Sequence, residues 1–176
     1  MTKMINRILS TVLLVAISCI TSCKVEKTIK REPGLSQEQL IEINRELLMK
    51  DRDRILDYIN RKGLSMTETV TGLWHQIIKE GKGNIESGNR IKLEYDLSLL
   101  DGRSIYSSEK EGELSFSVDR SDVPSGLNEG VQLLGLDAEA IFIIPSYLAY
   151  GMLGDDRGIP PRSILVYTIK VIEIIN

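Results

Sequence analysis

The sequence is short of the residues on which most enzyme chemistry depends. Of its 176 residues only His75 is histidine, and Cys19 and Cys23 are the two cysteines. A zinc site of the Cys/His type has no material here, and a histidine-dependent triad would have to turn on His75 alone. No GxxxxGK[ST] run is present, and Gly81-Lys82-Gly83 is too short for a dinucleotide fingerprint. No metal and no cofactor are therefore expected. The formal net charge is -3, with neither a basic stripe nor an acidic tail, so nucleic acid is not an expected partner. Any catalysis by such a chain falls to shape and apolar surface.

What is present begins with an address. Lys3 and Arg7 precede an apolar run from Ile8 to Ile20, too short for a comfortable span and built like a secretory leader. The segment ends Ile20-Thr21-Ser22-Cys23, which resembles the lipobox of bacterial lipoproteins. Residues 1–23 are then a lipoprotein signal peptide and Cys23 the lipidated residue, anchoring the protein in a membrane. With Cys23 acylated no cysteine pair remains, so no internal disulfide can form and the core must hold the fold. By analogy with diderm bacteria, Lys24 after the cysteine favours the outer membrane, with the domain facing the periplasm.

Residues 24–35 are charged, contain Pro33-Gly34 and lack periodicity, as expected of a tether. Ser36 then opens a helix over 36–62, with Gln39 placed to complete a capping box and Gly63 to stop it. Leu40, Ile43, Leu47, Ile55, Tyr58 and Ile59 fall on one face, interrupted by Lys50-Asp51-Arg52-Asp53-Arg54. Two expectations stand: a helix packed on its own domain or serving as a spacer, or a helix that forms a homodimer. Residues 63–70 read as a linker.

From Thr71 the period changes. Residues 72–81, 90–100, 113–118, 138–145 and 163–175 are rich in β-branched and aromatic residues and alternate with period two, as strands do. Ser125–Leu134 is the one helical candidate among them. Five strands and one short helix predict an α+β domain over 71–176 with a mainly antiparallel sheet.

The blocks "KLEYDLSLLDGRSIYSS", "VPSGLNEGVQLL", "IFIIPSYLAYG" and "GIPPRSILVYTIKVIEI" resemble, in order and spacing, those of FKBP-type peptidyl-prolyl isomerases. The resemblance runs from about Gly72 to Ile175. The layout of lipobox, helix and domain is similar to isomerase lipoproteins associated with gliding motility. The family implies an FKBP-like fold, an antiparallel five-stranded sheet wrapped on one short helix, here with an N-terminal extension helix. It implies rotation of the bond before proline, in proline-containing polypeptide clients of the cell envelope. It also implies a pocket in which Tyr150 bonds the substrate carbonyl. Tyr95 and Tyr167 are its aromatic walls, and Phe116, Val123 and Ile159 complete the lining. Tyr147 is expected to support the turn instead.

Several positions depart from the family pattern, among them Leu114, which replaces an aromatic residue. Ile105 and Tyr106 stand where the family usually has Phe-Asp, so Tyr106 brings a hydroxyl without a charge. Leu127 replaces a tryptophan at the pocket floor. Pro124 occupies the position whose backbone N–H usually meets the ligand, and proline has none. Tyr150, Tyr95 and Tyr106 are the candidate catalytic residues; Tyr95, Ile105, Phe116, Val123, Pro124, Leu127, Tyr150, Ile159 and Tyr167 are the candidate substrate-binding residues. Weak turnover is expected, with a catalytically impaired chaperone or binding module as the alternative.

Overall fold

In the computed structural model, residues 35–175 are described. The leader, Cys23 and nearly all of the tether lie outside the described residues. Helix α1 spans Gln37–Lys62, free of glycine and proline, with Arg61 and Lys62 in its last turn, where basic charge suits the helix dipole. Gly63 ends it at φ 63. The Gly63 N–H donates to Asn60 O and the Leu64 N–H to Ile59 O, the paired bonds of a Schellman cap.

Only the C-terminal half of α1 docks. Ile55, Tyr58 and Ile59 are buried with Trp74, Ile143, Ile164 and Val166 against one face of the sheet. Leu40 and Ile43, expected on the same buried face, are exposed. The charged run that interrupts the apolar face contains Asp51, which is itself buried. No helix among the described residues is long and apolar enough to cross a membrane.

The sheet is antiparallel and has seven strands rather than five. They are β1 (Thr67–Glu68), β2 (Trp74–Lys79), β3 (Arg90–Leu99), β4 (Ser104–Ser107), β5 (Leu114–Ser117), β6 (Glu139–Ile144) and β7 (Leu165–Ile175). The order is β1-β2-β6-β7-β3-β4, and β5 also pairs with β3. The two strands the sequence did not predict are short. β1 lies within the stretch read as a linker and pairs Thr67 with His75 and Glu68 with Trp74. β4 reads Ser-Ile-Tyr-Ser, with no alternation to register, and it exists because the Asp101-Gly102 turn folds it back onto β3. β3 serves two partners on one edge: Arg90–Leu93 face β5, and Asp96–Ser98 face β4.

A four-residue helix α2 (Ser108–Glu111) follows β4, and α3 (Ser125–Val131) is shorter than the Ser125–Leu134 expectation. Gly126 and Gly130 of α3 are buried. A methyl on Gly130 would lie 2.7 Å from the Phe142 ring, so glycine there lets α3 sit directly on β6. Leu127 and Val131 join Leu93, Leu97, Phe142, Ile144, Leu165 and Val171 in the core between helix and sheet.

Candidate active site

The alternation of β3 turns Leu93, Tyr95, Leu97 and Leu99 to the core side. Leu97 pairs with Tyr106 of β4 on one side and Tyr167 of β7 on the other, which brings both tyrosines to the face that carries Tyr95. The rings of Tyr95 and Tyr167 lie 6.2 Å apart, tilted by 39°, a spacing at which aromatic pairs attract. Tyr150 comes from the other direction. It follows Pro145 and a 3-10 turn, Ser146–Leu148, after β6.

Two layers result. Phe116, Leu127, Ile159 and Tyr167 are buried members of the core; Tyr95, Ile105, Tyr106, Val123 and Tyr150 pack on that core and stay partly open. Leu127 is wholly buried, so its effect on a ligand would pass through the residues above it. Pro124 is buried at the start of α3, where its carbonyl accepts the N–H groups of Leu127 and Asn128. Tyr95, Tyr106, Tyr150 and Tyr167 line neither of two clefts of about 450 and 520 Å³ that run along α1, the second of which Tyr147 lines.

Burial raises the Tyr95 hydroxyl above its ordinary value, with Glu111 adding to it, and burial followed by Asp155 does the same at Tyr150. Tyr167 is pushed furthest, again by burial first and then by Tyr150. All three stay protonated at neutral pH, so each hydroxyl has a proton to donate. The influence of Tyr95, Tyr106, Tyr150 and Asp155 on Tyr167 reflects how closely these groups gather.

The rim contains a group the sequence reading did not single out. Tyr106 Oη–H donates to Asp155 Oδ2 at 2.5 Å. Asp155 Oδ1 accepts the N–H groups of Arg157, Gly158 and Ile159 at 3.0, 2.9 and 2.7 Å. Burial opposes ionisation of Asp155, but the Tyr106 hydroxyl and those three N–H groups outweigh it and hold the carboxyl at about 2. Arg157 lies over the Tyr106 ring, 5.1 Å from its centre. Asp155-Asp156-Arg157-Gly158 is a turn signal in the sequence, and only the fold reveals that Tyr106 meets it. A methyl on Gly158 would lie 2.9 Å from Ile105 Cγ2 and 3.0 Å from Tyr106 Oη, so the rim closes directly on β4.

Ser108 fastens the other side. The Tyr95 N–H donates to Ser108 Oγ, and Ser108 Oγ–H donates to Tyr95 O. Tyr147 points elsewhere: its hydroxyl donates to Thr71 O at 2.8 Å, tying the turn to the loop before β2. Among the described residues no cluster of His, Cys, Asp and Glu could hold a metal ion. What the tyrosine face offers chemically is apolar contact edged by neutral hydroxyl donors.

Comparison with known proteins gives a consistent result. The model of the FKBP-type peptidyl-prolyl cis-trans isomerase family matches residues 81–172. A probable FKBP-type peptidyl-prolyl cis-trans isomerase of Haemophilus influenzae is 33% identical over 115 residues, or 64% of this chain and 47% of that protein. A probable FkpA isomerase of Neisseria meningitidis serogroup B is 37% identical over 107 residues, covering 60% and 39%. The chain thus spans about half the length, or less, of these two curated relatives. A peptidyl-prolyl cis-trans isomerase crystal structure from Pseudomonas syringae superposes with a TM-score of 0.63 at 25% identity, over 75% of this chain and 96% of that one.

Proposed function

Since the chain belongs to the FKBP-type peptidyl-prolyl cis-trans isomerase family, we propose that it rotates X–Pro bonds in polypeptides of the bacterial envelope. The observation that carries this reading is the gathering of Tyr95, Tyr106, Tyr150 and Tyr167 at one face, with hydroxyls that burial raises further above their ordinary value. Amide resonance sets a barrier of about 18–20 kcal/mol, and uncatalysed rotation takes tens to hundreds of seconds. At the top of the barrier the amide is twisted, its resonance is lost and its carbonyl is less polar. An apolar face binds that form better than the planar one, which water solvates better. No nucleophile and no proton transfer are needed.

In this mechanism Tyr95 and Tyr167 wall the proline ring, Ile105 and Ile159 close the sides, and Tyr150 donates its hydroxyl to the substrate carbonyl. Tyr106 acts through Asp155. The carboxylate that the sequence lacks at position 106 arrives from the rim, 2.5 Å from the Tyr106 hydroxyl. Pro124 offers no N–H, and the absence of that bond supports slow turnover. The same absence favours a second reading, a binding module of the same fold that holds unfolded chain without fast rotation.

Anchoring through acylated Cys23 to the outer membrane, with the domain in the periplasm, completes the proposal, as does kinship with the motility-associated lipoproteins. Cys23→Ser is expected to move the protein from the membrane fraction to the soluble one; retention in the membrane refutes the anchor. The isomerase reading is tested with a protease-coupled assay on a short X–Pro peptide. Tyr150→Phe removes one hydrogen bond, about 1 kcal/mol, and should lower kcat/KM about fivefold without unfolding the chain. A wild-type rate no faster than the uncatalysed background would leave only the binding module, which should then retain a stoichiometric partner.

A further inference from the structure

Asp51 is a buried charge that the proposed chemistry does not use. It sits midway along α1, and its side chain is 3% exposed. Its Oδ2 accepts Ser146 Oγ–H at 2.6 Å. Its Oδ1 has no hydrogen-bond donor among the described residues. Two guanidinium groups face that oxygen, Arg162 Nη2 at 3.7 Å and Arg54 Nη1 at 3.8 Å. A carboxylate tolerates burial only where such charges and donors face it.

The identity of the partners is the informative part. Ser146 and Arg162 are the two ends of the segment that carries Tyr150, Asp155 and Ile159. The backbone already cinches this segment at its base. The Gly151 N–H donates to Ser146 O at 2.8 Å, and the Arg162 N–H donates to Gly151 O at 2.8 Å. Arg162 also holds φ 57, a conformation that side-chain-bearing residues rarely adopt. A residue held in that conformation thus ends the segment and faces Asp51.

We infer that Asp51 is a positioning residue for the isomerase site. One carboxylate on α1 holds both ends of the Ser146–Arg162 rim, so α1 is part of the catalytic unit and not only a spacer. This rests on the isomerase reading above. Asp51 touches no substrate; it limits how far Tyr150 and Asp155 can wander from Tyr95 and Tyr106. Its loss should therefore lower kcat more than it raises KM.

The test uses the full chain and two variants. Asp51→Asn keeps an acceptor for Ser146 and removes the charge. Arg162→Gly removes the guanidinium and adopts the left-handed backbone without strain. Three readouts are taken: amide hydrogen exchange at Gly151 and Arg162, kcat and KM on the peptide, and emission from Trp74. Trp74 packs beside Ile55 and Ile59 and so reports whether α1 stays docked.

Each variant should speed exchange at those two amides and lower kcat about fivefold, roughly 1 kcal/mol at 1.4 kcal/mol per tenfold, with KM within about twofold. The double variant should be no worse than the worse single. Wild-type exchange in both variants overturns the inference, as does a fall in melting temperature with exchange and kcat unchanged. If Asp51→Asn shifts Trp74 emission to the exposed form, Arg162→Gly decides alone. A wild-type chain without turnover refutes the isomerase reading, and the exchange measurement still decides the clamp.

Discussion

Replacing Asp155 with asparagine asks whether the rim is held by charge or by shape. Asparagine keeps an oxygen for the N–H groups of Arg157, Gly158 and Ile159, and it removes the negative charge that faces the Tyr106 hydroxyl. Holding the carboxyl at about 2 rather than 3.8 is worth about 2.4 kcal/mol at full effect. The side chain is partly open to solvent, which screens the charge, so the expected net loss is about 1 kcal/mol. For a domain of this size that lowers the melting temperature by about 3–5 °C.

The pH dependence gives the sharper test. The folded-state value lies below the unfolded one, so the stabilisation is present above pH of about 4 and drains away as pH falls toward about 2. Thermal melts of wild type and Asp155→Asn, followed by circular dichroism from pH 7 down to 2.5, should show the full gap at neutral pH. The gap should close below pH 4. Peptide turnover at pH 7 should fall about threefold as the rim loosens. No gap at pH 7, or one that persists undiminished to pH 2.5, refutes the charge-based account.

Two further substitutions probe the packing. Gly158→Ala places a methyl 2.9 Å from Ile105 and 3.0 Å from the Tyr106 hydroxyl, so the rim must lift. Peptide assays and melts should show lower kcat/KM and a loss of about 1–2 kcal/mol, and unchanged values would mean the rim is already free to move. Ile55→Ala empties a wholly buried position where α1 meets the sheet. Urea titration should show a loss of about 2–4 kcal/mol with Trp74 emission moving to the red, and a loss below about 1 kcal/mol would mean that α1 is not docked there.

The sequence by itself determined the long elements. Each of the five predicted strands contains an observed one, because six or more alternating residues leave a period that chance rarely imitates. The helix ended where Gly63 said it would, since only a residue at ease with positive φ closes a Schellman cap without strain. The gathering of Tyr95, Tyr150 and Tyr167 was legible only through the family blocks. Nothing in the spacing of residues 95, 150 and 167 places them together.

The tertiary structure alone decided the rest. β1 has only two residues, and the two apolar residues of β4, Ile105 and Tyr106, are adjacent and do not alternate; both are strands because β2 and β3 offer open edges. Leu40 and Ile43 share the helical spacing of Ile55 and Ile59 but stay exposed, because periodicity names a face without saying what covers it. In the sequence Asp51 belongs to a charged run and Asp155 to a turn signal, with nothing local to mark either. Each is held by partners 95 or 49 positions away in the chain, Ser146 and Tyr106. A hydrogen bond depends on distance in space, and that distance exists only after the sheet has formed.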